Sequence, residues 1–168
     1  MKPSNHIAPG RLKYRVGDAT IPEAAGMRYI IHVCNDKNQW GAGFVISVSK
    51  RWPKAEQEYR GWYRSQNNFK LGEIQIVTVQ SDTAIVNMIA QEGVGPDKYG
   101  KPPIRYDALK SCLDKIGEHV SNEGGSIHGP RFGSGLAGGN FDLIEPMITD
   151  LLIKRGINVT IYDLPETK

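Results

Sequence analysis

Two apolar runs place the strongest constraint on the fold of this chain. Residues 27–34 read MRYIIHVC and residues 84–90 read AIVNMIA, so most positions in each run are apolar. A strand that is solvated on one face alternates apolar and polar residues, whereas a strand covered on both faces is apolar almost throughout. Both runs are therefore typical of central strands in a layered α/β sheet.

Strands and helices are predicted to alternate along the chain. The predicted strands lie near 11–16, 27–34, 73–79, 83–90, 125–129 and 157–162. The predicted helices lie at 44–51, 53–66 and 105–122, with a last helix before Gly156. The strands at 73–79 and 83–90 have the pattern of a hairpin joined at Ser81-Asp82. Together these elements predict a three-layer α/β/α domain with a central mixed, mostly parallel sheet.

The start of the last helix is predicted from its polar residues. Asp142 and Glu145 have the spacing of a capping box. Pro146 is best tolerated in the first turn of a helix, where its missing N–H is not needed. We therefore expect the helix to begin at Asp142 with Pro146 in its first turn.

Two glycine-rich loops follow predicted strands. The first is Trp40-Gly41-Ala42-Gly43, and the second is Gly133-Ser134-Gly135-Leu136-Ala137-Gly138-Gly139. Glycine lets backbone N–H groups approach a phosphate, and ligands of open α/β sheets bind beyond the carboxyl ends of the strands. We predict that the two loops hold a nucleotide-type diphosphate between them. A ligand-free turn explains the first loop equally well when it is taken alone, and a flexible linker is the alternative for the second.

Length and charge set the class of protein. A chain of 168 residues suits one domain, which we expect over 11–168 after a short tail at 1–10. No apolar run approaches the roughly 20 residues that span a bilayer, and no apolar segment follows Lys2. We therefore expect a cytoplasmic monomer without a membrane contact. The net charge of +3 is too small to require a nucleic-acid partner.

The cysteines and the aromatic residues allow simple interpretations. Cys34 and Cys112 lie in unlike contexts and are expected to be free thiols. Cys34 lies two residues from His32, but no metal-site spacing is present, so neither a metal nor a cofactor is expected. Aromatic residues are mixed with basic ones in the segment 50–64, which is more typical of an amphipathic helix with inward aromatics than of the alternative, a nucleic-acid surface.

Three motifs in one order carry a family resemblance. Val16-Gly17-Asp18-Ala19 follows the first strand, Cys34-Asn35 precedes the first glycine loop, and Pro130-Arg131-Phe132-Gly133-Ser134-Gly135-Leu136 forms the second. This order resembles the macrodomain family over nearly the whole chain, 12–164. The block from Ile31 to Glu56 looks most like the ADP-ribose-1″-phosphate phosphatase branch. The second loop is also similar to that of the terminal ADP-ribose protein glycohydrolase.

The resemblance implies ADP-ribose as the ligand. It implies that Asp18 accepts a hydrogen bond from the adenine amine with Ala19 beside it, although an Asp after a strand is more often a turn residue. Asn35 would face the distal ribose, and Tyr162 or Asp163 would lie near the adenine. The further implied contacts are Trp40, Gly41, Ala42, Gly43, Phe44, Gln91, Phe132, Gly133, Ser134, Gly135, Leu136 and Ala137.

The catalytic residues of the relatives are missing. Gln91 and Ala137 stand where glycohydrolase relatives have a lysine and an aspartate, and Phe44-Val45-Ile46-Ser47 offers no carboxylate of the kind found in deacetylase relatives. His32 and Asn35 remain as catalytic candidates. His32 is either a general acid or base or a core residue.

The resemblance implies hydrolysis of a substituent on the distal ribose. The expected substrate is ADP-ribose-1″-phosphate or an ADP-ribosyl or O-acyl ester, cleaved by ligand positioning and water activation. The alternative is a reader module that binds ADP-ribose, free or on a macromolecule, without cleaving it.

Overall fold

The computed structural model describes residues 7–165, and its elements alternate as the sequence predicts. The strands are β1 (Leu12–Val16), β2 (Arg28–Asn35), β3 (Ile74–Gln80), β4 (Thr83–Gln91), β5 (Ser126–Gly129) and β6 (Val159–Asp163). The helices are α1 (Phe44–Arg51), α2 (Pro53–Ser65), α3 (Tyr106–Glu123) and α4 (Phe141–Leu151), and a short 3₁₀ turn (Ile153–Arg155) follows α4.

The strands form one sheet in the order β1-β6-β5-β2-β4-β3. The β3–β4 pair is antiparallel, and all other neighbours are parallel. The predicted mixed, mostly parallel sheet and the predicted hairpin are therefore confirmed. Because β2 and β5 are parallel neighbours, the loops that leave their carboxyl ends emerge at the same edge of the sheet.

Helices cover the two faces of the sheet unequally. On one face, α3 and α4 pack over side chains from β2, β4, β5 and β6, including Ile31, Val86 and Ile161. On the other face, α1 and α2 pack over β2, β4 and the edge strand β3, around Ile30 and Ile89. β2 and β4 are thus the strands buried on both sides, which explains why their sequences are apolar almost throughout.

The cap of α4 differs from the prediction. Asn140, not Asp142, is the N-cap, and its side-chain oxygen accepts a hydrogen bond from the Asp142 N–H. The helix therefore begins at Phe141, and Pro146 lies beyond the first turn. Pro146 cannot donate to the Asp142 carbonyl, but both residues are exposed, so water can solvate that carbonyl.

The start of the described chain packs against the end of the fold. The Gly10 N–H donates to the Ile153 carbonyl at 2.8 Å, and a Cβ at Gly10 would lie 1.9 Å from the Ile157 carbonyl oxygen. The predicted tail at 1–10 thus includes docked residues, and residues 1–6 lie outside the described part. Within 7–165, no helix has the length and apolar character to cross a membrane.

The α4 cap can be tested by stability. Asn140→Ala removes the cap and is expected to lower the free energy of unfolding by about 1 kcal/mol in urea titrations. Asp142→Ala is the matched control. It is expected to lower the free energy of unfolding by only a few tenths of that amount, because it removes a negative charge near the helix N-terminus. A larger loss from Asp142→Ala would restore the capping-box prediction.

Candidate functional site

A cleft of about 560 Å³ opens at the carboxyl ends of the central strands. Asn35 from the end of β2, Gln91 from the end of β4 and the segment after β5 contribute to its walls. Both glycine-rich loops lie along its rim, as the sequence predicts from the topology. Its volume falls in the range of about 300–1,000 Å³ found for small-ligand pockets.

Asn35 shapes the loop that leads from β2 to α1. Its side-chain oxygen accepts hydrogen bonds from the N–H groups of Lys37 and Gln39 at 2.9 and 3.1 Å. Its amide nitrogen donates to the Gln39 carbonyl at 2.8 Å, and the Tyr59 hydroxyl donates to its oxygen at 3.0 Å. Asn35 therefore fixes the conformation of this loop through its side chain. Only one of its amide hydrogens remains for a ligand.

The first glycine loop ends at an uncapped helix N-terminus. Gly43 is the N-cap of α1 with φ 85°, no side chain caps the helix, and the first turn contains no acidic residue. The N–H groups of Ala42, Gly43 and Phe44 have no acceptor within residues 7–165. Free N–H groups at a helix N-terminus favour an anion.

The second glycine loop offers a matching set of donors. The N–H groups of Gly135, Leu136 and Ala137 have no acceptor in the described chain. The flanks of this loop are rigid because the Gly139 N–H donates to the Gly133 carbonyl at 2.7 Å. At Gly133, φ is 82° and a Cβ would lie 2.9 Å from the Ile144 side chain, so the fold itself requires that glycine.

Two other glycines are not required by the fold. Gly41 and Gly135 both line the cleft, neither has a left-handed backbone, and a Cβ at either would meet no protein atom within 4 Å. Side chains at these positions would therefore occupy the space beside the free N–H groups. The absence of side chains at Gly41 and Gly135 keeps the cleft open rather than relieving strain.

The two loops meet across the cleft. The Leu136 side chain lies so close to Gly43 that a Cβ there would be 3.0 Å from the leucine Cδ1. Leu136 is 65% exposed, so little other protein holds it. Its side chain forms a roof over the space between the two sets of N–H groups.

A third wall comes from Gln91 and from Val94, which lies in the segment 93–103 between β4 and α3. Gln91 donates to the Gly93 carbonyl at 3.1 Å, and the Gly93 N–H donates to Asp36 at 2.9 Å. These bonds hold the start of the segment beside Asn35. Val94, which is half exposed, then lines the cleft.

His32 is buried beneath the cleft, although part of it reaches the cleft wall. It is 2% exposed, and its Nε2 lies 2.6 Å from the Asn87 side-chain oxygen. Burial lowers the pKa of His32 to about 4, so the ring is neutral at neutral pH and its Nε2–H donates to Asn87. Its other nitrogen faces the Cys34 sulfur at 3.9 Å. This geometry favours the core alternative for His32, and its acid–base role stays a prediction.

Trp40 and Tyr162 also point away from the cleft. Trp40 is 4% exposed, and its indole N–H donates to the Ser49 hydroxyl at 2.6 Å. The Tyr162 hydroxyl is 2.9 Å from His128 Nδ1 and accepts the Glu23 N–H at 3.1 Å. Neither residue lines the cleft: Trp40 anchors its loop in the core, Tyr162 anchors the segment before β2, and their ligand contacts stay predictions.

Three further predicted residues lie outside the cleft walls: Asp18, Ala19 and Ser134. One oxygen of Asp18 accepts hydrogen bonds from the Thr20 N–H and hydroxyl at 2.8 and 2.7 Å, which is the turn role expected of an Asp after a strand. The other oxygen has no partner among the described residues. The adenine contact of Asp18 therefore stays a prediction.

Arg131 is a cleft residue that the sequence analysis did not assign to the site. It forms a two-bonded ion pair with Asp163, at 2.7 and 3.0 Å, and its guanidinium lies 5.0 Å from the Tyr14 ring centre. It is the one Lys, Arg, Asp or Glu among the cleft-lining residues. The sequence does not predict this setting of Arg131, because its partner Asp163 is distant in the chain and no spacing pattern connects the two residues.

The chemical character of the cleft follows from these residues. Amide side chains, backbone N–H groups and one guanidinium line it, and burial raises the pKa of the Cys34 thiol well above its usual range. Residues 7–165 contain no group of three His, Cys, Asp or Glu side chains arranged to hold a metal ion. The donors that line the cleft, neutral except for Arg131, suit an anion.

Comparisons with known proteins identify relatives of this chain. No protein-family model matches it. A structure of a protein of unknown function from Bacteroides thetaiotaomicron is 45% identical, with a TM-score of 0.91 over 92% of this chain and 99% of that one. A macrodomain protein from Streptomyces coelicolor is 43% identical, with a TM-score of 0.81 over 91% of this chain and 99% of that one.

More distant matches carry functional descriptions. The ADP-ribose 1″-phosphate phosphatase of Saccharomyces cerevisiae is 26% identical over 106 residues, which are 62% of this chain and 59% of that protein. A Thermosipho africanus DarTG structure in complex with ADP-ribose shares the fold, with 20% identity and a TM-score of 0.67 over 84% of this chain and 39% of that one.

The buried state of His32 predicts a pH-dependent stability. Its folded pKa of about 4 lies below the unfolded value of 6.5, so the free energy of unfolding falls as pH drops from about 6.5 to about 4. For one such histidine the loss is about 3 kcal/mol. In His32→Gln, which keeps a donor towards Asn87, urea unfolding at stepped pH should show a shallower fall. Equal slopes in the variant and the wild type would contradict the buried neutral state.

Proposed function

This chain belongs to the macrodomain family, and we propose that it binds ADP-ribose in the cleft between its two glycine-rich loops. The observation that carries the proposal is the pair of facing donor sets, Ala42 to Phe44 and Gly135 to Ala137, whose N–H groups have no acceptor within residues 7–165. A diphosphate spans such a gap and accepts from both sides. Crystallised relatives include one in complex with ADP-ribose, which supports this ligand.

The rest of the cleft suggests how the ligand is oriented. Asn35, Gln91 and Val94 form one end, which offers amide groups to the hydroxyls of the distal ribose. Arg131 lies on the wall contributed by the second loop and pairs with Asp163 at the end of β6. We place the adenosine half on that side, towards Asp18.

We propose further that the protein hydrolyses a substituent on the distal ribose, with ADP-ribose-1″-phosphate as the first candidate substrate. The likeness to the yeast phosphatase supports this reaction class. A water oxygen would bond to phosphorus while the bond between phosphorus and the ribose oxygen breaks. No Lys, Asp or Glu lines the cleft, so an oxygen of the substrate's own phosphate takes the proton from water. The leaving ribose oxygen takes its proton from solvent.

Positioning is then the main contribution of the protein to catalysis. The two loops would hold the diphosphate, and the free amide hydrogen of Asn35 would orient the ribose or the water. Without a general base from the protein, turnover is expected to be slow. The same lack of a Lys, Asp or Glu in the cleft favours the second candidate function, a reader that holds ADP-ribose, free or attached to a macromolecule, without cleaving it.

Binding is tested at the two glycines that the fold does not require. Gly41→Val and Gly135→Val place side chains in the open space of the cleft and are expected to weaken ADP-ribose binding at least about 100-fold, since each displaces phosphate contacts. Isothermal titration calorimetry measures the affinity.

A matched control separates binding from folding. Gly61 lies in α2, has no left-handed backbone, and a Cβ there would meet only the end of the Arg64 side chain at 3.8 Å. Gly61→Val is expected to bind as the wild type does. Unchanged affinity in both cleft variants would reject the loop assignment, and no binding by the folded wild type would reject ADP-ribose as the ligand.

Hydrolysis is tested by phosphate release. Wild-type protein incubated with ADP-ribose-1″-phosphate is expected to release phosphate slowly, and Gly135→Val is expected to release none. His32→Gln is expected to keep the wild-type rate wherever it is folded, because the ring takes no proton in the step. Tight ADP-ribose binding by the wild type without phosphate release would leave the reader function in place of the enzyme.

A further inference from the structure

We propose that the protein carries a second ligand site, for a phosphate-class oxyanion, in a cavity at the opposite end of the sheet. The cavity has a volume of about 490 Å³ and lies at the amino ends of β1, β6, β5 and β2. It shares no lining residue with the cleft. Nothing in the proposed ADP-ribose function uses it.

The cavity exists because half of one sheet face has no helix over it. β5 and β6 alternate, with Ile127 and Ile161 facing α3 and α4, so Ser126, His128 and Thr160 lie on the other face. On that face, α1 and α2 cover β2, β4 and β3 but, among residues 7–165, contribute no apolar packing over β1, β5 or β6. The segment that precedes β2 lies beside the exposed polar strands and closes one side of the cavity.

A buried chain of hydrogen bonds ends at the cavity. The Glu23 N–H donates to the Tyr162 oxygen at 3.1 Å, and the Tyr162 hydroxyl lies 2.9 Å from Nδ1 of His128, which is 1% exposed. The Tyr162 O–H has no other acceptor in the described chain, so it donates to Nδ1. His128 Nε2, 2.7 Å from the Ser126 oxygen, then carries the ring proton and donates to Ser126.

This chain fixes the direction of the Ser126 hydroxyl. Burial lowers the pKa of His128 to about 4, so the neutral ring holds one proton, the one at Nε2. Because the Ser126 oxygen accepts from His128, its own O–H is free to donate. Ser126 lines the cavity, so the chain ends in a preset hydrogen-bond donor.

Backbone donors lie along the same cavity. The N–H groups of Ala24, Ala25 and Gly26 have no acceptor within residues 7–165, and all three residues line the cavity. Gly26 has φ 81°, in the left-handed region that occurs in anion-binding turns. Such concave runs of N–H groups are anion-binding features.

Within residues 7–165, the unpaired side-chain charges at the cavity are positive, which also favours an anion. Arg11 and Lys13 line the cavity and form no ion pair among the described residues, whereas the one acidic lining residue, Glu23, is paired with Arg15. The Asn158 side-chain oxygen accepts the Arg11 N–H at 3.0 Å, which leaves its amide hydrogens as donors. Two cations, a directed hydroxyl and a run of free N–H groups suit a small oxyanion rather than a cation or an apolar ligand.

The test uses inorganic phosphate as the probe. ¹H–¹⁵N spectra of the full chain are recorded during a titration in which phosphate replaces chloride at constant ionic strength. Saturable shifts are expected at the amides of Ala24, Ala25, Gly26 and Ser126. They are expected to persist in Gly135→Val, because the cleft is a separate site.

Variants assign the effect to the cavity. The double variant Arg11→Gln and Lys13→Gln is expected to weaken the phosphate affinity about tenfold or more, since it removes two charge-assisted contacts. Ser126→Ala is expected to weaken it a few-fold. Lys110→Gln, an exposed change on α3, is the matched control and should leave the affinity unchanged.

Three results would overturn the proposal. They are shifts that grow linearly without saturation, shifts confined to the glycine loops of the cleft, or an affinity that Lys110→Gln lowers as much as the double variant does. ADP-ribose binding at the cleft is measured separately on the same double variant and should be unchanged. The proposal for the cavity and the proposal for the cleft are thus tested independently.

Discussion

The parallel pairing of β2 with both β4 and β5 is the constraint on which the rest of the structure depends. It gathers three strand ends at one edge of the sheet and so brings together loops that are far apart in the chain. A register shift between Cys34 and Asn35 then pairs Asn35 with Gln91. The Asn35 amide can therefore hold the first loop while Gln91 holds the segment that forms the third wall.

The helices cover the two faces of the sheet unequally, and the two ends of the sheet therefore differ in the kind of site they can form. The α3–α4 face supplies one extended apolar core that includes Ile127, Val159 and Ile161 of β5 and β6. The opposite face of these two strands can carry polar side chains such as His128 and Thr160, provided that each forms a hydrogen bond with the protein or with water. The fold therefore supports a cleft at one end and a polar cavity at the other without competition for the same core.

The pattern of apolar residues and the positions of glycine and proline predict most of the fold, because both are local properties of the sequence. The bounds of α1 and the β3–β4 hairpin follow from apolar runs, glycines and Pro53, and the structure confirms them. Local signals fail where a distant partner decides the role of a residue. His32 is bonded to Asn87 on the neighbouring strand and Tyr162 to His128, and neither partner is close in sequence.

Capping and charge pairing illustrate the same limit. Asn140 and Asp142 are both good cap residues, and the choice between them depends on how the preceding loop approaches the helix. Arg131 acquires its setting from Asp163 and Tyr14, which lie on other strands. The glycine loops themselves were predictable because their function needs backbone rather than side-chain partners.

The Leu136 roof has a kinetic consequence. A gate made of one exposed side chain opens by rotamer exchange on the picosecond to nanosecond scale, far faster than the microsecond to millisecond motion of a loop lid. Leu136 itself would therefore not slow the entry of a ligand between the loops. Once a ligand is seated, the same isobutyl group would shield it from solvent, so the residence time would be set by the backbone contacts beneath.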